Sequence, residues 1–426
     1  MSINIQKRYT FALFILVLIG CASNKKRIAK DITHEFETNF YRNQFSGLLI
    51  VNPETKDTLY DLNSNRYFTP ASNTKIFTLY TALKSLPLKI PSLRYIENND
   101  TLYFEGTGDP SFMHPYLKDS TSYLFLKKQK NLAFYPNNFD DTKLGPGWAW
   151  DDFHWYYSPE RSAFPIYGNV TTITNVPDWN VFPIYFKDSV VIDKNDYHRD
   201  LIKNRFYFEG DRTDTLEVPF ITSTNTTKNI LQNLLGKEIT MVSTMPAGPK
   251  RTLHGIHADS LYVKLMHDSD NFIAEQLLIL SASEKTDTLN SRSAIDYILN
   301  NELADLPQQP RWVDGSGLSR YNLFTPKSMV FVLDKLYKEF PKERLFHIFP
   351  AGGISGTLKN WYGADDKPFI FAKSGSFGNN YCLSGYLITK SGKVVIFSFM
   401  NNHFRNSSSE LKKRMQGIFE SIRDTY

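Results

Sequence analysis

The hydrophobic positions change period several times along this chain, and each change marks an element. Phe11 to Ile19 is an unbroken apolar run behind Lys7 and Arg8. It is too short to hold a bilayer as a stable span and has the shape of an export signal, so residues 1–20 read as a leader. Residues 21–30 are mostly polar and predict a tether, and Ile32 to Tyr41 predicts a helix. Gly47–Val51, the turn Asn52-Pro53-Glu54 and Thr58-Leu59-Tyr60 predict a strand, a turn and a returning strand. Behind Pro70-Ala71-Ser72-Asn73-Thr74-Lys75, the apolar run Ile76–Leu83 predicts a helix that starts at Ser72, runs to about Leu86 and is closed by Pro87.

From about Pro91 the pattern shortens. Leu93–Ile96 and Thr101–Phe104 flank Glu97-Asn98-Asn99-Asp100 as the arms of a hairpin, and short β-like runs recur at Val181–Phe186 and Phe206–Phe208. No internal repeat is present, and residues 91–245 read as an inserted, mainly β domain or pair of domains. Helical periodicity returns at Ser260–Met266, breaks at His267–Asn271, and resumes from Phe272 to about Ser283 and from Phe331 to Phe340. The end of the chain is β (Phe369–Ala372, Leu383–Thr389, Val394–Met400), followed by an amphipathic helix from about Ser409 to Ile422. Strands near both ends, with helices around them, predict one α/β (α+β) domain of residues 31–90 and 246–426, split by the insertion.

Composition alters this picture little. A chain that is 41% hydrophobic and 22% charged has an ordinary globular balance. The net charge of +5 is small for 426 residues and forms no dense Lys/Arg stripe, which argues against nucleic acid as a partner. Attraction to an acidic cell-wall polymer remains open. The two cysteines add more. Leu18-Ile19-Gly20-Cys21 resembles the bacterial lipoprotein signal, in which the cysteine is lipidated and becomes the new N-terminus; the other reading is a plain secretory signal. A lipid on Cys21 would leave no intramolecular disulfide. Cys382, inside Tyr381-Cys382-Leu383, reads as a core residue with no basic neighbour to activate it.

The candidate chemistry begins at Ser72. Residues three apart on a helix share a face, so the Lys75 amine falls beside the Ser72 hydroxyl. A serine hydroxyl is a weak nucleophile until a base takes its proton, and a neutral lysine is such a base. The spacing alone is unspecific, since Ser23–Lys26 and Ser409–Lys412 share it. Two further stretches single out Ser72. Ser269-Asp270-Asn271 sits between two helical runs, and Lys373-Ser374-Gly375-Ser376 follows an apolar strand, where Gly375 permits close backbone approach. Ser-x-x-Lys, Ser-Asp-Asn and Lys-Thr-Gly occur together in class A β-lactamases and penicillin-binding proteins. Ser223-Thr224-Asn225 also matches Ser-x-Asn, and Lys390-Ser391-Gly392 also matches Lys-Ser-Gly; the first lies in a polar stretch, and the second separates two apolar runs and reads as a hairpin turn.

With these motifs, the chain resembles the low-molecular-mass (class C) penicillin-binding proteins of the D-alanyl-D-alanine carboxypeptidase/endopeptidase type, which carry a large insertion after the nucleophile helix. Gly106–Ser111, Gly145–Asp151, Ser269–Glu275, Asp314–Arg320 and Ser355–Leu358 look like that family's segments in that family's order, covering about residues 45 to 400. The resemblance implies a transpeptidase-like domain with an antiparallel sheet flanked by helices, and a peptidoglycan stem-peptide peptidase working through an acyl-enzyme. By the same resemblance, Ser72 attacks the carbonyl between two D-alanines and Lys75 accepts its proton. Ser269 relays that proton to the departing amine, and Asn271 binds the substrate peptide group and orients Lys75. Lys373 and Ser374 meet the terminal carboxylate, and the amides of Ser72 and Ser376 form the oxyanion hole. It also implies β-lactams as covalent inhibitors, no metal or organic cofactor, and a periplasm-facing lipoprotein held to a membrane through Cys21. Ser374 departs from the family's usual Thr but keeps the hydroxyl. Two alternatives are a serine β-lactamase and a non-catalytic cell-wall-binding lipoprotein of the same fold. The insertion and the multi-segment resemblance argue against the first, and the intact set of motifs against the second.

The remaining candidates have blander readings. His254-Gly255-Ile256-His257 has metal-like spacing without a third ligand nearby. Asp314 and Arg320 bracket a loop that either braces the core or meets substrate. Trp148, Trp150 and Trp155 read as core before they read as a saccharide groove, and Asp140 and Asp141 reach a cleft only as a guess.

Overall fold

A computed structural model describes residues 24–364 and 367–426. The export segment and Cys21 lie outside the described residues. Packing divides the described residues into two compact units: those up to residue 76, with 306–311 and those from 323 on, form the first, and residues 77–305 and 312–322 the second. Residues 77–90 and 246–305 thus pack with the inserted stretch, so the packing units and the expected domain boundaries are cut at different places.

The first unit is built on a five-stranded antiparallel sheet in the order Ile370–Phe377, Asn380–Ile388, Val394–Asn402, Phe45–Val51, Thr58–Leu62. The N-terminal hairpin joins the three C-terminal strands; four of the five runs are buried along most of their length, while the edge strand Thr58–Leu62 buries only Leu59. Alternation assigns the faces. Val395, Phe397 and Phe399 share a core with Leu48, Ile50, Leu383 and Leu387, and Leu411, Met415, Phe419 and Ile422 of the terminal helix Ser408–Thr425 cover it. Ile28 and Ile32 belong to the same core. Residues 24–36 are therefore helical and packed, where residues 21–30 were expected to be a tether. Exposed Lys25, Lys26, Arg27 and Lys30 gave the stretch its polar character, while Ile28 and Ile32, one turn apart, anchor it. Helix Pro326–Glu339 serves the sheet as well: the Tyr386 hydroxyl donates to Leu333 O at 2.9 Å. Lys390–Gly392 is the turn between two sheet strands, with Gly392 at φ +80°.

The second unit carries a mixed five-stranded sheet, Ile239–Met241, Asn131–Phe134, Thr101–Gly106, Lys89–Asn98, Arg251–His257. Beside it are a three-stranded antiparallel sheet and a short parallel pair. Lys89–Asn98 and Thr101–Gly106 form the expected hairpin. The inserted stretch also contains helices, Thr121–Lys128 and Thr224–Leu235. The second begins where Ser-x-Asn was matched: Ser223 is its N-cap, accepting from Thr226 N at 2.9 Å, and Gly236 at φ +64° ends it. Three helices follow, Ala258–His267, Asn271–Ser283 and Ser291–Asn300. Almost every side chain of Asn271–Ser283 is buried, as expected of a helix that is apolar all round.

Candidate active site

Ser72 does not open an α-helix directly. It lies in a 3₁₀ turn, Ala71–Thr74, that leads into the α-helix Lys75–Ser85. Ala71 sits at φ +47°, a left-handed conformation that costs a non-glycine residue about 1 kcal/mol. It is held there by local bonds: Asn73 N donates to Pro70 O at 3.2 Å and the Thr74 hydroxyl to Ala71 O at 2.9 Å. Backbone strain of this sort collects at functional sites.

The turn sets Ser72 against Lys75, whose Nζ donates to Ser72 Oγ at 2.9 Å. Lys75 is fully buried and Ser72 half-buried. Asn73, between them, ties the turn to the sheet: its Nδ2 donates to Lys373 O at 2.9 Å and to Cys382 O at 3.2 Å. The edge strand Ile370–Phe377 meets the turn closely at Gly375. A Cβ built there would lie 2.5 Å from Pro70 O and 2.8 Å from both Ser72 N and Asn73 N. Only a glycine lets the strand backbone lie beside the Ser72 amide.

The rest of that strand carries the other expected residues. Lys373 is fully buried, and its Nζ donates to Ser374 O at 2.8 Å. Burial, and then the neighbouring Lys75 cation, hold its amine well below the ordinary lysine range. The Ser374 hydroxyl pairs with the Thr357 hydroxyl at 2.7 Å, and Ser376 is exposed. Cys382, opposite Gly375 in the register, is buried, and burial pushes its thiol up to about 12, which leaves it inert. Ser72, Lys75, Lys373, Ser374 and Gly375 are thus brought together within the first unit.

Ser269 and Asn271 belong to the second unit. Ser269 is half-buried at φ +57°, on the turn between helices Ala258–His267 and Asn271–Ser283. Asp270 between them is the N-cap of the second helix, accepting from Ile273 N at 2.9 Å. Asn271 Nδ2 donates to Tyr157 O at 3.0 Å. One helical turn on, buried Glu275 takes the guanidinium of buried Arg161 at 2.6 Å and the amides of Gly315 and Ser316 at 3.1 and 2.7 Å. Asp314 accepts from Trp148 Nε1 at 2.9 Å, Asn322 Nδ2 at 2.7 Å, and the amides of Gly317 and Ser319. Burial raises its carboxyl, and the charge on Glu275 adds to the rise. Asp314 therefore braces its loop, whereas Trp148, expected in the core, is half-buried with its indole bonded to that carboxylate.

Asp141 likewise has a structural partner set, Ser291 N and Arg161. His257 caps the following helix by accepting from Asp259 N at 3.3 Å. Trp150 and Trp155 are 69% and 42% exposed, so they are surface residues and not core. Asn73 and Thr357 were not singled out from the sequence. Ser-x-x-Lys leaves its middle positions unconstrained, and Thr357 was visible only as part of a family-like segment.

Comparison with known proteins agrees with this architecture. The model of the D-Ala-D-Ala carboxypeptidase 3 (S13) family matches residues 29–181 and 255–423, well over half of the chain. The D-alanyl-D-alanine carboxypeptidase DacB of Haemophilus influenzae is 25% identical over 446 aligned positions, covering 89% of this chain and 90% of that protein. The crystal structure of penicillin-binding protein 4 (dacB) from Haemophilus influenzae superposes with a TM-score of 0.72 at 20% identity, covering 93% of this chain and 99% of that one, and so shares the fold. The same protein complexed with a β-lactam superposes at 0.66, with 19% identity and the same coverage. With the family model matched over residues 29–181 and 255–423, the chain belongs to the D-Ala-D-Ala carboxypeptidase 3 (S13) family of serine peptidases, the low-molecular-mass penicillin-binding proteins.

Proposed function

We propose that Ser72 is the nucleophile through which this family member acts as a D-Ala-D-Ala carboxypeptidase/endopeptidase on peptidoglycan stem peptides. The observation that carries the assignment is the 2.9 Å hydrogen bond between Lys75 Nζ and Ser72 Oγ, in a turn fastened to the sheet by Asn73. Lys75 takes the Ser72 proton as Oγ bonds to the carbonyl carbon between the two D-alanines. The carbon–nitrogen bond then breaks, the proton goes to the departing amine through Ser269, and water hydrolyses the acyl ester on Ser72. The amides of Ser72 and Ser376 hold the developing oxyanion; losing one such donor typically costs about 100- to 1,000-fold in rate. Lys373 and Ser374 receive the terminal carboxylate, and Asn271 the peptide group. The motif order and the family membership support these roles.

The peptidase domain comprises residues 31–90 and 246–426 and the insertion residues 91–245; the gap in the family match, residues 182–254, falls mostly inside that insertion. The export segment and a lipid on Cys21 place the enzyme on the periplasmic face of a membrane. Labelled penicillin is expected to attach covalently to the purified protein at Ser72, and Ser72→Ala to abolish it. Unchanged labelling of the variant would overturn the assignment, and rapid penicillin hydrolysis without a stable adduct would point to a β-lactamase. Chromatography of digested cross-linked muropeptides separates removal of the terminal D-alanine from cleavage of the cross-link.

A further inference from the structure

Among the described residues, the outer edge of the strand Ile370–Phe377 is covered along only part of its length. Gly352 N donates to Ile370 O at 2.9 Å and Ala372 N to Pro350 O at 3.0 Å, with Ala351 bridged to Phe371. Residues 350–352 thus act as a short extra strand that stops at Ala372, just before Lys373 and Ser374. The chain then folds back through Gly353, at φ +74°, whose amide donates to Leu358 O at 3.0 Å and Trp361 O at 2.8 Å. Ala351 N donates to the Ser355 hydroxyl at 3.0 Å, and Leu358 is buried in the sheet core. A Cβ on Gly352 would lie 2.4 Å from Tyr362 O, so the fold-back tolerates no side chain there. This anchoring holds Thr357 where its hydroxyl meets that of Ser374 at 2.7 Å.

Thr357 itself is exposed and Ser374 is buried, so water reaches only one end of the pair, and the bond contributes modestly to stability. Its geometry matters more for Ser374. A threonine at position 374 would fix its own χ1 through the branched Cβ; serine has no such restraint. A hydroxyl carries one donor and two lone pairs, so Ser374 can accept from Thr357 while donating to a carboxylate. Such chained bonds polarise and strengthen one another.

We propose that Thr357 is a positioning residue for the substrate's terminal carboxylate: by donating to Ser374 Oγ, it orients the Ser374 hydroxyl that the lost methyl group would otherwise have fixed. The inference rests on the reading of Ser374 as a carboxylate-binding residue. The test is a double-mutant cycle with T357V and S374T, read by steady-state hydrolysis of a short acyl-D-alanyl-D-alanine peptide. T357V is expected to raise KM about 3- to 10-fold, the value of one hydrogen bond, with kcat within about 2-fold and an unchanged melting temperature. T357S stays near wild type. In the S374T background, where residue 374 fixes its own rotamer, T357V costs less than about 2-fold. An equal KM rise in both backgrounds, or a loss in kcat alone, would overturn the proposal. So would an unchanged KM in T357V of a protein that labelled penicillin still modifies at Ser72. Absence of Ser72 labelling in the parent would instead overturn the site assignment, and this inference with it.

Discussion

Gly375 shows how tightly the candidate site is specified at the level of single residues. Its α-carbon lies so near the nucleophile turn that a methyl group would sit inside van der Waals contact of three backbone atoms, none of them the end of a flexible side chain. Gly375→Ala is therefore expected to push the strand away from the Ser72 amide. Penicillin acylation should fall about 100-fold or more, the effect of one displaced oxyanion donor, with about 1–3 kcal/mol of stability lost to overpacking. Stopped-flow acylation and urea unfolding check both, and an unimpaired acylation rate would show that the strand is free to shift. Lys373 makes a prediction with the opposite sign for stability. Its folded-state amine is held well below its unfolded value of 10.5. Between those two values the unfolded chain binds the extra proton, so stability rises with pH across the window, and the full penalty is present below it. Lys373→Met removes that penalty. The variant should melt above wild type at neutral pH, the gap should close as pH approaches 10.5, and D-Ala-D-Ala hydrolysis should be lost. A variant that melts lower at every pH would contradict this. The adjacency of Ser72 and Lys75 was legible in the spacing, because three residues make nearly one turn whether it is 3₁₀ or α. The part of Asn73 was not, since its partners are backbone carbonyls about 300 residues away.

At the scale of elements, Ser-Asp-Asn illustrates how one short motif serves structure and chemistry together. Asp270 caps the helix Asn271–Ser283, so the junction that presents Ser269 is fixed by a residue with a purely local task. Asp270→Ala is expected to cost about 1 kcal/mol in urea denaturation, whereas Asp270→Asn, which keeps the acceptor, should cost far less. Equal losses in the two variants would show that the charge matters and the cap does not. The same helix buries the Arg161–Glu275 pair, and Glu275→Gln should destabilise by about 3–5 kcal/mol, because Arg161 would be left charged and poorly paired in the interior. Elements with a strong apolar period were readable from the sequence: the sheet strands at both ends, the hairpin Lys89–Asn98/Thr101–Gly106, and the helices around Leu261 and Leu277. Those overlooked bury few side chains against long polar runs. Thr224–Leu235 has only Ile230, Leu231 and Leu235 inside. The first two turns of the helix at 24–36 were hidden in the same way by their lysines and arginine, with tertiary packing outweighing the local pattern, and the helix expected over Ile32–Tyr41 ends at Phe36.

For the whole molecule, that N-terminal helix bears on the proposed lipid anchor. It is fastened to the terminal helix by Arg27, which donates to the Thr425 hydroxyl at 2.6 Å, and by the Arg414–Glu35 pair at 2.8 Å. The proposed lipid on Cys21 would then be joined to a packed element at Asn24 by at most about 11 Å of chain, since consecutive α-carbons are about 3.8 Å apart. Lys25, Lys26 and Lys30 are exposed within that first stretch. Near an anionic surface, each such cation adds about 1 kcal/mol of attraction that salt screens. Cys21→Ser is therefore expected to move the protein from the membrane to the soluble fraction in two stages: a weakly held portion at low ionic strength, released by a high-salt wash, and none retained after it. Labelled penicillin should still attach at Ser72, because the nucleophile turn is fastened to the sheet through Asn73. Retention of Cys21→Ser in washed membranes would rule out the lipid as the anchor. Release in a single stage with no salt dependence would remove the lysines from the account while leaving the lipid in place. The two contributions separate because acyl-chain burial is insensitive to ionic strength, whereas attraction between headgroups and lysines falls off within a Debye length.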